Sequence, residues 1–397
     1  MTGRHSNVAT AAGRPADARL ARRGDNAAPG ELRDNRSAVR RATQRLLRHE
    51  AGLSTTAIHH DPSRGGKAMQ HGLPVVSVIL PVRNEAGFLH QSLGAVLAQD
   101  YPAERIEVIV VDGMSTDGTR AIVQDLTMTH RNLKMLDNPS GIVPVAMNIG
   151  IRGARGTIII RVDGHTIIER DYARECVAAI ERTGADNVGG RMNAEGRGVI
   201  GEAIAVATAS PFGVGGSRFH YSTMEEWVDT VYMGAWPRSV FNKVGLFDEE
   251  MVRNQDDEFN CRMSDKGAKI LLSPTIKSTY YPREAIRTLW RQYFQYGFWK
   301  VRVMQKHPRR MRLHHLIPSL FVCALGLSAM LTQIPGGWSF IFFGVIGLYA
   351  LGATAATAMC RPPMKIFAFV PLVFAILHVG YGAGFLVGVA KFWNRWT

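Results

Sequence analysis

From residue 75 onward, short apolar runs alternate with amphipathic stretches. Val75-Val76-Ser77-Val78-Ile79-Leu80 is a β-branched run closed by Pro81, the pattern of a buried strand. Residues 86–99 then put Leu89, Leu93, Val96 and Leu97 on one helical face. The alternation continues with a strand over 106–111, a capped helix over 120–128, a short strand over 134–136, a helix over 143–154 and a strand over 158–162. Strands and helices joined by short connections predict an α/β fold with parallel strands covered by helices.

Three of these strands run into polar sequence carrying Glu85, Asp112 and Asp163. Parallel strands bring their carboxyl ends to one edge of the sheet, where ligands of open α/β sheets bind. Clustered carboxylates repel one another unless a cation or a hydrogen-bonding ligand sits among them. In Ile160-Arg161-Val162-Asp163-Gly164-His165, Asp163 and His165 flank one glycine. They could share a hard or borderline metal ion, while Gly164 lets the backbone approach a phosphate; an ordinary Asp-Gly turn is the alternative. No Gly-x-Gly-x-x-Gly follows the first strand and no Walker lysine loop is present, which excludes dinucleotide dehydrogenases and P-loop nucleotidases.

The middle of the chain is less periodic. Residues 186–190 read as a further strand, and the glycine-rich stretch 201–216 as a flexible loop over a site. Asp256, Asp257 and Glu258 precede an amphipathic stretch over 259–266. They suit a helix N-terminus, where the dipole favours negative charge, or a general base. Residues 290–299 carry aromatics at helical spacing with amides between them. That suits packing on a core or membrane surface, or stacking on sugar rings.

The formal charge of +14 over 397 residues points to an anionic partner: nucleic acid, acidic lipid or a phosphorylated substrate. The basic residues cluster in the first 72 residues and beside apolar segments, not among exposed aromatics on a sheet, which disfavours nucleic acid. Residues 1–72 read as a disordered basic tail in which 38–53 could form a short helix, and Met69 offers a later start. No cleavable signal pattern is present. Cys176, Cys261, Cys323 and Cys360 are scattered, which argues against a disulfide framework or a zinc site.

Residues 316–334, 338–359 and 366–390 are apolar, each long enough for the ~20 residues of a bilayer span. Basic residues precede the first (Lys306, Arg309, Arg310, Arg312) and follow the second (Arg361, Lys365), so the positive-inside rule puts these and the preceding domain in the cytoplasm. A third span would end at Lys391 and Arg395 on the far side, against that rule. Its glycines, prolines and His378 also permit a re-entrant or packed segment.

Pro81-Val82-Arg83-Asn84-Glu85, the stretch from Asp112 to Thr119, and Asp163-Gly164-His165, in that order, resemble the inverting glycosyltransferases of family two over residues 75–308. With Gln255-Asp256-Asp257-Glu258-Phe259-Asn260 and the apolar C-terminus, they look most like the succinoglycan-biosynthesis glucosyltransferase group. The resemblance implies a GT-A fold, a Rossmann-like mixed sheet flanked by helices, over residues 73–308, and a membrane domain with about three transmembrane helices over 309–397. It implies donor binding by Pro81, Arg83, Glu85, Asp112 and Asp163, and Mg²⁺ or Mn²⁺ held by Asp163 and by His165, which stands where the family has a second Asp. The base role falls to Asp256, with Asp257 as second candidate, and acceptor binding to Trp236, Gln292 and Tyr296. Gln292-Tyr293-Phe294-Gln295-Tyr296 departs from the Gln-x-x-Arg-Trp motif of processive synthases. The implied protein is a multi-pass enzyme of the bacterial inner membrane with its catalytic domain in the cytoplasm. It moves a sugar, glucose from a UDP-linked donor, to a polyprenyl-diphosphate-linked saccharide beside other polysaccharide-assembly proteins. A processive synthase and a non-catalytic nucleotide-sugar-binding scaffold are the alternatives.

Overall fold

The structure is a computed structural model that describes residues 72–282 and 285–396. The basic tail expected over 1–72 lies outside the described residues, apart from Gly72.

The first half follows the apolar pattern closely. β1 (Val76–Val82), α1 (Ala86–Leu97), β2 (Ile106–Asp112), α2 (Thr119–Thr127), β3 (Leu133–Asp137), α3 (Val143–Gly153) and β4 (Ile158–Arg161) alternate in sequence. Their strands lie in the order β3-β2-β1-β4, all parallel. Val78, Ile79, Val110 and Ile160 are fully buried because helices cover both faces, which is why these strands read as continuous apolar runs. One face packs on α1, α2 and the later helix Tyr172–Thr183, through Leu89, Val123 and Cys176. The other packs on α3 and later elements, through Met147, Phe241 and Phe259.

The second half turns the sheet mixed. β5 (Thr166–Ile168), α4 (Tyr172–Thr183), β6 (Asn187–Ala194), α5 (Gly198–Thr208), α6 (Pro211–Val214), β7 (Glu226–Trp227), β8 (Tyr232–Pro237), α7 (Ser239–Val244), α8 (Gln255–Asp265) and β9 (Ile270–Tyr280) follow. β8 runs antiparallel to β4 and links it to β6, which pairs in parallel with β9. The stretch 201–216, expected as a flexible loop, is instead largely α5 and α6. Its small residues are an apolar helix face: Ala203, Ile204 and Ala207 are buried against the C-terminal helices.

α9 (Ile286–Lys306), α10 (Ile317–Leu331), α11 (Ser339–Cys360), α12 (Met364–Phe367) and α13 (Phe369–Lys391) complete the chain. Among the described residues two stretches, against about three expected, are long and apolar enough to cross a membrane: Ser339–Cys360 and Met364–Lys391. α10 has 15 residues, about 22 Å of helix, which is short of the ~30 Å hydrocarbon core. α13 lies along α9 at glycine distance. A Cβ added at Gly384 would come within 1.9 Å of the Phe294 carbonyl, and one at Gly388 within 2.6 Å of the Phe298 carbonyl. Only glycines spaced by four permit backbones this close.

Candidate active site

The turns after β1 and β2 are laced together. Asn84, in a left-handed conformation, accepts from the Thr116 amide at 2.8 Å and donates its own amide to Ser115 Oγ at 2.9 Å. The Glu85 amide donates to Thr119 Oγ1 at 2.9 Å. Asp112 is fully buried at the end of β2, where it accepts from Arg120 Nη1 at 2.6 Å and from the amide and hydroxyl of Ser115. Its carboxylate is therefore occupied in shaping this loop, and the donor contact expected of it would compete with Arg120. Arg83 lies over the glycines of the neighbouring turns. A Cβ on Gly141 would meet its Nη1 at 2.4 Å, and one on Gly113 its Cβ at 3.2 Å. Pro81 sits within β1, pairing with Val111, and contributes to the strand rather than to an open surface.

β4 ends in a buried cation. Arg161 donates from Nε to Asp163 Oδ1 at 2.8 Å, and its Nη1 is buried with no hydrogen-bond partner among the described residues. Burial works against the guanidinium charge, but Asp163 and Asp256 outweigh it, so Arg161 holds its proton more firmly than usual. His165 turns Nδ1 toward Glu85 Oε1 at 3.4 Å and sets its ring edge-on to Tyr280. A carboxylate behind one ring nitrogen is the usual support of a metal-binding histidine and leaves the other nitrogen to face a ligand. Among the described residues no three His, Cys, Asp or Glu side chains form a preassembled metal cage. Asp163 and His165 offer two donor side chains at this edge, and Asp163 keeps one carboxylate oxygen outside its bond to Arg161.

α8 brings the second carboxylate. Asn254, left-handed, starts the helix, and Asp256 stands in its first turn. Burial pushes the Asp256 carboxyl up; Arg161 opposes this, while Asp257 and Asp163 add to it. Among the described residues Asp256 forms no ion pair in which the charged groups touch; its Oδ1 accepts the Asp257 amide at 2.9 Å. Asp257 instead binds Lys300 Nζ on α9 at 2.7 Å. Asp256 is thus held part-buried in the field of the Arg161–Asp163 pair, while the Asp257 carboxylate is engaged by Lys300.

The three residues expected at the acceptor separate. Trp236 is only 2% exposed and packs against Phe241, Phe247 and Phe259, so it is a core residue and not an acceptor contact. Its burial follows from β8 lying between β4 and β6 inside the sheet. Gln292 and Tyr296 do lie together on α9: Gln292 Nε2 donates to the Tyr296 hydroxyl at 2.7 Å. Burial raises the Tyr296 phenol, with the negative charge of Asp256 adding to it, which places this pair within the field of Asp256.

Arg161, Tyr232 and Lys300 were not singled out from the sequence. Arg161 carried a signal, a cation closing an otherwise apolar strand. Tyr232, whose phenol is held protonated by burial and by Asp163, and Lys300 carried none, since their partners are distant in sequence. Five non-glycine residues among those described have positive φ, and four of them flank this site: Asn84, Met114, Met233 and Asn254. Backbone strain of this kind persists where surrounding structure enforces it, and it clusters at working sites.

The glycosyl transferase family 2 profile matches residues 77–207. The chain is 30% identical over 322 residues to the succinoglycan biosynthesis protein ExoA of Rhizobium meliloti, covering 80% of this chain and 96% of that one. It is 28% identical over 324 residues to a dolichyl N-acetyl-α-D-glucosaminyl phosphate 3-β-D-2,3-diacetamido-2,3-dideoxy-β-D-glucuronosyltransferase of Methanococcus voltae, covering 80% of this chain and 97% of that one. Among solved structures, the mannosyltransferase PcManGT from Pyrobaculum calidifontis, in complex with GDP-Man and Mn²⁺, aligns with a TM-score of 0.53 at 19% identity, over 81% of this chain and 89% of that one. The sheet and its flanking helices have the GT-A-type arrangement expected from the sequence.

Proposed function

Because the chain belongs to glycosyl transferase family 2, we propose that it is a membrane-bound inverting glycosyltransferase with Asp256 as its base. The donor is a nucleotide sugar, UDP-glucose by preference, and the acceptor a polyprenyl-diphosphate-linked saccharide at the inner face of a bacterial plasma membrane. The observation that carries this reading is the contrast within α8: Asp256 faces the Arg161–Asp163 edge without an ion pair, and Asp257 is bound to Lys300.

The chemistry needs one displacement. An acceptor hydroxyl attacks the anomeric carbon, the bond from that carbon to the diphosphate oxygen breaks, and the electron pair leaves with the diphosphate. The hydroxyl proton passes to the Asp256 carboxylate. Attack opposite the leaving group inverts the anomeric centre. Asp163 and His165 would hold a divalent ion, Mg²⁺ or Mn²⁺, which when bound supplies positive charge to the departing diphosphate. Glu85 orients His165, Arg161 orients Asp163, and Arg83 lies over the backbone where the donor approaches. Gln292 and Tyr296, joined on α9, supply the acceptor side. The cations beside the apolar helices suit an anionic lipid-linked acceptor.

The test is sugar transfer by membranes containing the full chain, using a panel of nucleotide sugars and lipid-linked acceptors, with product configuration read by NMR. A β-linked product from an α-linked donor, lost on exhaustive EDTA treatment and restored by Mg²⁺ or Mn²⁺, is expected. A retained anomeric configuration would refute the single displacement. Full activity in EDTA would remove the metal role.

A further inference from the structure

The helix Met364–Lys391 is long and apolar enough to cross a membrane, yet it is attached to the catalytic domain along its whole length. At its start, Lys365 binds Glu202 on α5 at 2.8 Å, and Ile366 and Val370 are buried with Ala203 and Ile204. In its middle, His378 Nε2 meets the Phe212 carbonyl on α6 at 2.8 Å, and Phe374 packs edge-on to the Phe212 ring at 4.9 Å. Its second half runs parallel to α9. Gly380 faces Trp290, Gly384 faces Phe294, Gly388 faces Phe298, and the Phe392 carbonyl accepts from Gln305 Nε2 at 2.8 Å. At its end, Arg395 binds Glu250 at 3.0 Å. Glu250 also takes Arg302 at 3.0 Å and Lys306 at 2.8 Å, and α9 is tied to the candidate base helix through Lys300 and Asp257.

A crossing helix separates its ends by the hydrocarbon core, about 30 Å. The 28 residues here are about 42 Å long, so one end of a crossing helix would lie on the far side. Both ends instead make charged contacts with one folded unit, and charged groups are costly inside hydrocarbon. The same catalytic domain cannot present Glu202 and Glu250 to opposite sides of a bilayer. We infer that this helix does not cross the membrane: both of its ends, and with them Trp393–Arg395, stay on the face that carries the catalytic domain. It rides on α5 and α9 as an apolar platform laid against the lipid, and α11, whose Phe340, Phe343, Leu348 and Leu351 are exposed, is the deeper element.

This placement removes the conflict with the positive-inside rule. Arg309, Arg310, Arg312, Arg361, Lys365, Lys391 and Arg395 all fall on one face, where they meet anionic headgroups. Trp393 and Trp396, 72% and 49% exposed, stand at the helix end, the level that tryptophan favours at a membrane–water boundary.

The inference rests on the membrane-bound reading, and two reporters on the full chain separate the two. Green fluorescent protein, which folds on the cytoplasmic side, and alkaline phosphatase, which is active only after export, are each fused after Thr397 and expressed in a bacterium, and the cells are fractionated. Bright fluorescence and absent phosphatase activity, with the chain in the membrane fraction, are expected. Phosphatase activity with dark fluorescent fusions in that fraction would overturn the inference while leaving membrane binding intact. Recovery of the chain in the soluble fraction would sink the membrane-bound reading and the inference with it. As an independent readout, Asn394→Cys is treated with a membrane-impermeant maleimide beside the parent chain. Added labelling only after the cells are opened agrees with the inference, and added labelling on intact cells contradicts it.

Discussion

The sheet edge where Arg161, Asp163 and Asp256 meet and the seam between α8 and α9 hold similar charges to different ends. In the seam each acid has a cation in contact: Asp257 has Lys300, Asp248 has Lys306, Asp265 has Arg310, and Glu250 has three. At the edge one guanidinium serves two carboxylates, touching Asp163 and acting on Asp256 without an ion pair. A fully paired acid is a poor proton acceptor, whereas one held part-buried with its pKa raised is poised for it. The seam fixes the helix that carries Asp256, the proposed base, and the edge leaves its carboxylate without an ion pair among the described residues.

The largest effect on stability should come from breaking the seam at the Lys300–Asp257 pair. Lys300 is 13% exposed, and Asp257→Asn would leave its charge without a partner. Removing one partner of a buried pair costs about 3–5 kcal/mol, and this half-covered pair should fall toward or below the lower end. Asp257→Asn with Lys300→Met should recover much of that loss in thermal unfolding. No recovery would mean that the pair is not what holds α8 to α9. Next, Gly384→Ala puts a methyl against the Phe294 carbonyl and should cost about 1–3 kcal/mol. Gly352→Ala on α11, where nothing lies within 4 Å, should not destabilise. Equal effects of the two would argue against the α9–α13 contact.

Two smaller effects depend on pH. Arg161 holds the Asp256 carboxyl down against burial, so Arg161→Gln should raise its pKa. The base then stays protonated to higher pH, and the acid limb of the turnover profile should move toward alkaline pH. An unmoved limb would uncouple the two residues. In the seam, Arg302 foremost, with Lys306, pulls the Glu250 carboxyl from 4.5 down to about 2. A depressed folded-state value means stability that is present above the ordinary value and lost as pH falls from about 4.5 toward 2. His307 works with the opposite sign, since Glu258 and Asp265 raise it above 6.5: its contribution is full below that value and fades as pH rises through the raised one. Glu250→Gln should flatten the acid side of the stability profile and leave the His307 side unchanged.

The edge was legible in the sequence because each of its parts is local. A β-branched run followed by Asp-Gly-His says where a buried strand stops and what it carries, and Asn84 and Ser115 sit within the same short motifs they brace. Asp256 was legible as an acid at a helix start, but its difference from Asp257 was not, because that depends on Arg161 and Lys300, 95 residues before the one and 43 after the other. Trp236 failed as an acceptor contact because an aromatic beside a small-residue run reads alike on an open cleft and in an internal antiparallel strand. The glycines of α13 suit a re-entrant or packed segment on sequence alone, and the structure supplies their partner in α9.

The most direct measurement sets Asp256→Asn beside Asp257→Asn, with nucleoside diphosphate affinity read by calorimetry and sugar transfer read with a radiolabelled donor. Asp256→Asn removes the proton acceptor and keeps the shape, so turnover should fall by about two to four orders of magnitude while affinity barely changes. Asp257→Asn should lose stability and much less turnover. Near-normal turnover in Asp256→Asn, or a dead Asp257→Asn enzyme that is folded and binds donor, would contradict the assignment of the base.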